Sequence, residues 1–222
     1  MKLAIPKTCF VAGEPEARYV LLQPVDEHDL TAIEEETAAL NAQLCVPYCL
    51  IACPVADWNR DLSPWPAPPV FGKVPFGGEA EKTLSALQRN VLPALTDKTV
   101  LLGGYSLAGF FALWAAYRTD VFRGVAAASP SVWYPGWMDY AASHKPHPKH
   151  LYLSLGDREE RAKNPVMARV GDCIREQYRL LSAGGSSAVL EWNAGNHFQQ
   201  TGLRTAKGFA WLVEQIEREK AV

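Results

Sequence analysis

The sequence predicts an α/β fold, in which a mostly parallel central sheet is covered by helices on both faces. Short, nearly continuous apolar runs alternate with amphipathic stretches along the chain, the pattern of buried parallel strands joined by crossover helices. The 222 residues are 48% hydrophobic and 21% charged, as in soluble globular proteins. No internal repeat or low-complexity linker interrupts this pattern. We therefore expect a single domain over residues 1–222.

Each predicted strand is a short apolar run bounded by turn-forming residues. These runs are residues 18–23, 48–55, 99–102, 124–128, 150–155 and 188–192. The predicted helices carry apolar side chains at helical spacing and are residues 29–43, 79–92, 107–117, 166–181 and 203–218. Pro24 is expected to stop the first strand, Asp29 to cap the first helix and Pro93 to end the second. Residues 56–78 are expected to form a loop rich in Pro and Trp.

Charge and hydropathy exclude several classes of function. A net charge of −2 argues against a nucleic-acid binder, which normally carries a basic stripe. No run approaches the ~20 apolar residues of a membrane span, so no membrane partner is expected. The start of the chain meets charge at Lys2 and again at Lys7, which is not the pattern of a signal peptide. We expect a cytoplasmic protein, unless a signal segment has been removed, and predict no oligomeric state.

Three of the five cysteines are evenly spaced, at Cys45, Cys49 and Cys53. Even spacing raises a metal site as an alternative, but these cysteines lie in or beside an apolar run, where cysteine behaves as a small hydrophobe. An odd count is typical of free thiols in a reducing compartment. Buried thiols are therefore predicted.

A second possible metal site is the series His144, His147 and His150. Pro146 and Pro148 forbid a helix there, and the intervening lysines repel a cation. A solvated loop is predicted. No metal or organic cofactor is expected anywhere in the chain.

The clearest chemical motif is Gly-Tyr-Ser-Leu-Ala-Gly at residues 104–109, at a predicted strand-to-helix junction. That junction is where a G-x-S-x-G nucleophile elbow presents its serine, here Ser106. Gly104 matches the first glycine, whereas Ala108 replaces the second and Gly109 follows it. The alternative is a glycine-rich turn with an ordinary helix-capping serine.

A serine nucleophile needs a base and an orienting acid. His197 follows the last predicted strand, at the same sheet edge as Ser106, and is the predicted base. The acid is expected just after the preceding strand, where Asp157, Glu159 and Glu160 stand. The sequence leaves Glu159 and Asp157 open as alternatives, with Glu160 third. Glu159 is favoured because it has left the strand and can turn toward the histidine.

Four segments together resemble a known family. They are residues 104–109, the Ala-Ser-Pro-Ser-Val-Trp stretch at 128–133, the acid turn at Gly156, and Gly-Asn-His-Phe at 195–198. The chain resembles the esterase branch of the α/β-hydrolase superfamily, which contains esterase D-like and enterochelin-esterase-like enzymes. The resemblance implies a single-domain α/β-hydrolase fold. With only residues 129–149 between the fourth and fifth strands, a minimal form without a large lid is expected.

The resemblance also implies an oxyanion hole. One donor is the backbone N–H of Leu107, directly after the nucleophile. The second would come from the loop after the first predicted strand. Pro24 has no N–H, so Val25 or Asp26 is the candidate.

Aromatic residues are concentrated in two loops at the expected catalytic edge. They are interpreted as an apolar wall for an acyl or aryl group, with Arg60 available to an anionic substrate and Tyr105 beside the nucleophile. The alternative is that the tryptophans only pack the loops together. The wall candidates are Trp58, Trp65, Phe71, Trp133, Tyr134 and Trp137.

These residues predict a serine hydrolase that cleaves small carboxylic esters through an acyl-enzyme. Other acyl chemistry on the same residues, by a thioesterase, acyltransferase or peptidase, is the nearest alternative. A non-catalytic binding protein on a hydrolase scaffold is an alternative from another class. The physiological substrate is not predicted.

Overall fold

The computed structural model describes residues 5–70 and 72–221, and in these ranges seven strands form the central sheet. Its strand order is β1-β3-β2-β6-β7-β8-β9; β1 is antiparallel to β3, and all other neighbours are parallel. The short strands β4 and β5 form a separate ribbon. The strands are β1 Phe10–Gly13, β2 Tyr19–Val25, β3 Tyr48–Pro54, β4 Pro66–Ala67, β5 Phe76–Gly77, β6 Thr99–Tyr105, β7 Gly124–Ala128, β8 His150–Gly156 and β9 Ser187–Asn193. The predicted mostly parallel α/β sheet is confirmed.

Helices cover both faces of the sheet. The apolar side chains of α2 and α9 pack on one face, and those of α4, α5, α6 and α8 pack on the other. The helices are α1 Glu27–Thr31, α2 Ile33–Gln43, α3 Trp58–Asp61, α4 Ala80–Asn90, α5 Ser106–Ala116, α6 Trp137–Ser143, α7 Pro165–Ala168, α8 Val170–Ala183 and α9 Thr201–Lys220. Two 3₁₀ turns, Leu92–Leu95 and Glu159–Arg161, complete the pattern.

Strand β2 shows why the apolar runs become central strands. Val20 and Leu22 point into the cluster beneath α5, while Tyr19 and Leu21 point into the cluster beneath α9. Successive side chains of a strand alternate between faces, so a run that is apolar at every position is buried on both. The same two-sided burial holds β6 and β7, which carry the site described below, at the middle of the sheet.

Three predictions about the first predicted strand and helix are wrong. Pro24 does not stop the strand, because β2 continues to Val25 alongside β3 after its pairing with β6 has ended at Leu22. Because β2 no longer pairs with β6 at position 24, the missing N–H of Pro24 removes no hydrogen bond between these two strands. The first helix is capped by Asp26, whose carboxylate accepts from Asp29 N at 2.8 Å. The predicted helix 29–43 is divided into α1 and α2 at Ala32.

Other differences lie in loops. The predicted loop 56–78 contains α3 and the β4–β5 ribbon, and the predicted helix 166–181 is divided at Arg169. Neither β1 nor α6 was expected. Between β7 and β8 the chain forms only the seven-residue helix α6 and its flanking turns, in agreement with a fold without a large lid.

The cysteine and histidine expectations hold in part. Cys49 and Cys53 are buried, but Cys45 is exposed because it follows the end of α2. His150 is wrong as a loop residue, since it is buried at the start of β8. Among the described residues no group of three or more His, Cys, Asp or Glu side chains is placed to hold a metal. No helix in the described ranges is both long and apolar enough to cross a membrane.

Candidate active site

Ser106 lies on a sharp turn between β6 and α5. Its φ is +55°, a left-handed conformation that L-residues rarely adopt and that costs about 1–2 kcal/mol. Such a value at a strand-to-helix junction is the conformation of a nucleophile elbow. The turn leaves Ser106 partly exposed at the carboxyl end of the sheet, between buried neighbours.

The glycines of the motif explain how alanine is accepted at position 108. A Cβ added to Gly104 would lie 2.7 Å from the Ala108 methyl, so that methyl uses the space that Gly104 leaves. A Cβ at Gly109 would lie 2.8 Å from Gly104 O and 3.0 Å from Ala128 O. The close approach of helix to sheet therefore depends on Gly104 and Gly109.

His197 contacts both of its expected neighbours. Its Nε2 lies 3.0 Å from Ser106 Oγ, and its Nδ1 lies 2.7 Å from Glu159 Oε2. A carboxylate only accepts hydrogen bonds, so Nδ1 carries the proton and Nε2 is free to accept from the serine. This tautomer is the one that a general base for Ser106 requires.

The structure separates the three candidate acids. Glu159 is buried in the 3₁₀ turn after β8, against His197. Asp157 is exposed and accepts from Gly195 N at 2.9 Å, while Glu160 pairs with Arg175 at 2.9 Å. Of the three, the geometry brings only Glu159 to the imidazole.

The second oxygen of Glu159 is fully engaged. Its Oε1 accepts from Gly156 N at 2.7 Å, from Ser129 Oγ at 2.7 Å and from Arg204 Nη1 at 3.0 Å. Burial opposes the charged form of Glu159. The hydrogen bond and charge of His197, together with the hydrogen bonds from Ser129 and Gly156, outweigh this effect and hold the pKa of Glu159 below its ordinary value. Glu159 is therefore a carboxylate at neutral pH.

Arg204 was not identified from the sequence. It lies on α9 with its side chain fully buried, and besides Glu159 it donates to Tyr105 OH at 3.0 Å and to Ala194 O at 3.0 Å. The signal was available, because an arginine on the apolar face of the predicted helix 203–218 needs a buried partner.

Tyr105 holds the histidine loop. Its hydroxyl donates to His197 O at 2.8 Å, and its ring centroid lies 5.2 Å from that of His197. Burial, followed by the charge of Glu159, raises the pKa of Tyr105 to about 12, so the hydroxyl stays neutral and keeps its donor. These contacts place Tyr105 behind the histidine rather than in a substrate wall.

The candidate oxyanion donors lie at the ends of neighbouring strands. Leu107 is in the first turn of α5, where backbone N–H groups have no acceptor within the helix. Val25 ends β2 and Asp26 follows it; β2 pairs with β6, so these residues end at the same sheet edge as Ser106.

Most of the aromatic wall is packing. Trp137 is fully buried and donates to Gln177 Oε1 at 2.9 Å, so the structure places it in packing. Trp133 is buried, and Trp65 donates to Pro135 O at 2.8 Å. Trp58 is half-buried against the core. Phe71 lies outside the described residues.

Arg60 is exposed but already paired. Its Nε lies 2.7 Å from Asp61 and 3.6 Å from Glu79, so its charge is offset by two carboxylates. An exposed aromatic ring beside the histidine is that of Phe198, which is 82% exposed and stands edge-on to His197 at 5.4 Å.

Several solved esterase structures resemble this fold. Siderophore hydrolase EstB from Aspergillus nidulans matches with a TM-score of 0.67 at 20% identity, covering 95% of this chain and 86% of that one. Siderophore hydrolase EstA from Aspergillus nidulans gives 0.63 at 22%, covering 90% and 83%. Enterochelin esterase from Shigella flexneri gives 0.67 at 17%, covering 94% of this chain but 54% of that one.

At these identities the likeness shows the fold: the chain has the α/β-hydrolase fold of these esterases, as its resemblance to enterochelin-esterase-like enzymes implied. No family model matches the chain, and no curated protein matches its sequence.

Proposed function

We propose that this protein is a serine hydrolase of carboxylic esters, with Ser106 as nucleophile, His197 as base and Glu159 as the orienting acid. The observation that carries the proposal is the position of His197, which lies within hydrogen-bond distance of both Ser106 Oγ and Glu159 Oε2. The strained elbow at Ser106 supports it independently.

In the first half of the reaction, His197 Nε2 takes the proton of Ser106 as Oγ attacks the ester carbonyl. The oxyanion accepts hydrogen bonds from Leu107 N–H and from the N–H of Val25 or Asp26. Glu159 stabilises the imidazolium that forms. Collapse of the intermediate transfers the proton from Nε2 to the leaving alcohol and leaves an acyl group on Ser106.

In the second half, His197 Nε2 takes a proton from water, and the resulting hydroxide equivalent attacks the acyl carbonyl. The same donors bind the second oxyanion. Proton transfer back to Ser106 Oγ releases the acid. Each step uses only groups of this chain, the substrate and one water molecule.

Hydrolysis of short-chain p-nitrophenyl esters tests this function. We expect Ser106→Ala to lower kcat by ~10³-fold or more, as for other triad nucleophiles. Ser182→Ala is the matched control, because Ser182 is exposed on α8, in a different part of the chain. A Ser106→Ala rate within about tenfold of wild type, with circular dichroism unchanged, contradicts the proposal.

The substrate panel distinguishes the alternatives. Thioesters, peptides and acyl acceptors other than water test the other acyl reactions. If the wild-type protein turns over none of these substrates and no ester, a binding protein on this scaffold is favoured. A siderophore ester belongs in the panel because the neighbours above are siderophore hydrolases and an enterochelin esterase. The contacts of Arg60 and Trp137 give no support to their predicted substrate roles.

We further propose one domain over residues 1–222 and a cytoplasmic location. A single cooperative unfolding transition would support the first. Fractionation of cells that express the full-length protein tests the second.

A further inference from the structure

Two cysteines face each other at the edge of the sheet, and neither belongs to the residues of the proposed hydrolase. β1 and β3 are antiparallel, with Phe10 opposite Ala52, and Cys9 and Cys53 are the residues directly beyond this pair. Their Sγ atoms lie 2.6 Å apart. Both are free thiols in this structure.

The backbone geometry suits a covalent link. Opposed residues of antiparallel strands have Cα atoms about 4.5–5.5 Å apart, within the range of about 4.4–6.8 Å seen for disulfides. Closing the two Sγ atoms to the bond length of about 2.05 Å requires a shift of only about 0.5 Å.

The two thiols differ in access and in acidity. Cys9 is half-buried and Cys53 is buried, and both line a cleft of about 140 Å³ together with Pro6, Thr8 and Pro54. The hydrogen bond from Cys53 lowers the pKa of Cys9, against the opposing effect of burial, and the same bond, with burial, raises the pKa of Cys53. Cys9 is therefore the better nucleophile.

We propose that Cys9 and Cys53 form a redox-reactive dithiol, which small disulfides such as oxidised glutathione convert to a disulfide that ties β1 to β3. The Cys9 thiolate attacks one sulfur of the reagent, forming a mixed disulfide and releasing one thiolate. Cys53 then loses its proton to solvent and attacks Cys9 Sγ, which forms the Cys9–Cys53 bond and releases the second thiolate. Two cysteine thiols are oxidised, and one reagent disulfide is reduced to two thiols.

The test treats folded full-length Cys45→Ser protein with oxidised glutathione, since Cys45 is exposed and would form its own adduct. After acid quench, denaturation and alkylation, we expect two alkylated cysteines, Cys49 and Cys173, and a linked Cys9–Cys53 peptide in a non-reducing digest. Dithiothreitol should reverse the link. Oxidation should also raise the Tm by about 5–10 °C, because the bond closes a long loop.

Two further variants in the Cys45→Ser background assign the roles. Cys53→Ser should retain glutathione on Cys9, and Cys9→Ser should leave Cys53 unmodified while folded. The proposal is overturned if the linked peptide is absent, if it forms only in denaturant, or if the glutathione adduct on Cys9 persists with Cys53 present. An unchanged Tm on oxidation would overturn the claim that the disulfide ties β1 to β3.

Discussion

The guanidinium of Arg204 and the carboxylate of Glu159 meet inside the protein, at 3.0 Å, with both side chains almost fully buried. The pair leaves Glu159 Oε2 to His197 while Oε1 is held by Arg204, Ser129 and Gly156. A carboxylate fixed on one oxygen in this way can orient an imidazole through the other. Arg204 is therefore a positioning residue in our account, since it acts through Glu159.

The first prediction concerns Arg204→Met. Loss of this anchor should lower kcat by between about 10- and 100-fold, the range expected when a reacting group is misplaced by about 1 Å. Without the guanidinium, Glu159 Oε1 keeps only the hydrogen bonds from Ser129 and Gly156, so the carboxylate is held less firmly against His197.

Two controls separate this role from a loss of folding. Arg204→Lys keeps the charge and should recover part of the lost kcat, although one ammonium cannot replace every guanidinium contact. Arg218→Met removes an exposed arginine from the same helix and should leave kcat unchanged. A wild-type kcat in Arg204→Met would contradict the positioning role.

The second prediction separates the candidate acids. Glu159→Gln should lower kcat by up to ~10⁴-fold, because an amide neither fixes the histidine tautomer nor stabilises the imidazolium. Glu160→Gln should have little effect, since its exposed pair with Arg175 is worth roughly 0–1 kcal/mol. Asp157→Asn keeps an acceptor for Gly195 N and should also be mild. A large loss in Asp157→Asn beside a near-normal Glu159→Gln would reverse the assignment.

The third prediction follows from Glu36, which is buried beneath the sheet edge on α2. Its Oε2 accepts from Gln23 Nε2 at 2.8 Å, and its Oε1 is buried without a hydrogen-bond partner among the described residues. Burial raises the pKa of Glu36 from 4.5 to about 8. Between these values the folded protein holds a proton that the unfolded chain releases, so the free energy of unfolding falls as pH rises.

Glu36→Gln removes this titration and keeps an acceptor for Gln23. Relative to wild type, we expect the free energy of unfolding of the variant to increase by about 2–4 kcal/mol between pH 5 and pH 8. Urea melts at both pH values measure it. Glu34→Gln, at an exposed position of the same helix, is the control and should show no such trend. A difference between Glu36→Gln and wild type that is constant over this range would contradict the prediction.

Apolar patterning was sufficient to predict six of the seven strands of the sheet, but not the edge strand β1. β7 begins and ends where the sequence predicts, because all five of its residues are buried. β1 has mostly exposed side chains, and its pairing with β3 depends on backbone hydrogen bonds that side-chain pattern does not report. The elements that carry Ser106 and His197 were therefore predictable, and β1 was not.

Within the site, spacing along the chain left the acid open for a physical reason. Asp157 and Glu159 both follow β8, and only the 3₁₀ turn decides which carboxylate points inward. The aromatic loops suggested a substrate wall, but tryptophan and tyrosine suit buried packing as well as ligand contact, so their presence in a loop does not distinguish the two. Trp137 and Tyr105 are both satisfied by internal hydrogen bonds.

Labelling with a fluorophosphonate probe tests most directly whether His197 activates Ser106. We expect the wild-type protein to take up one equivalent of probe, mapped by mass spectrometry to the peptide that contains Ser106. Protein that is denatured before the probe is added, and the Ser106→Ala variant, should not be labelled. Glu159→Gln should label far more slowly and Glu160→Gln at the wild-type rate. Folded wild-type protein whose Ser106 stays unlabelled, or whose label maps to another residue, would contradict the account.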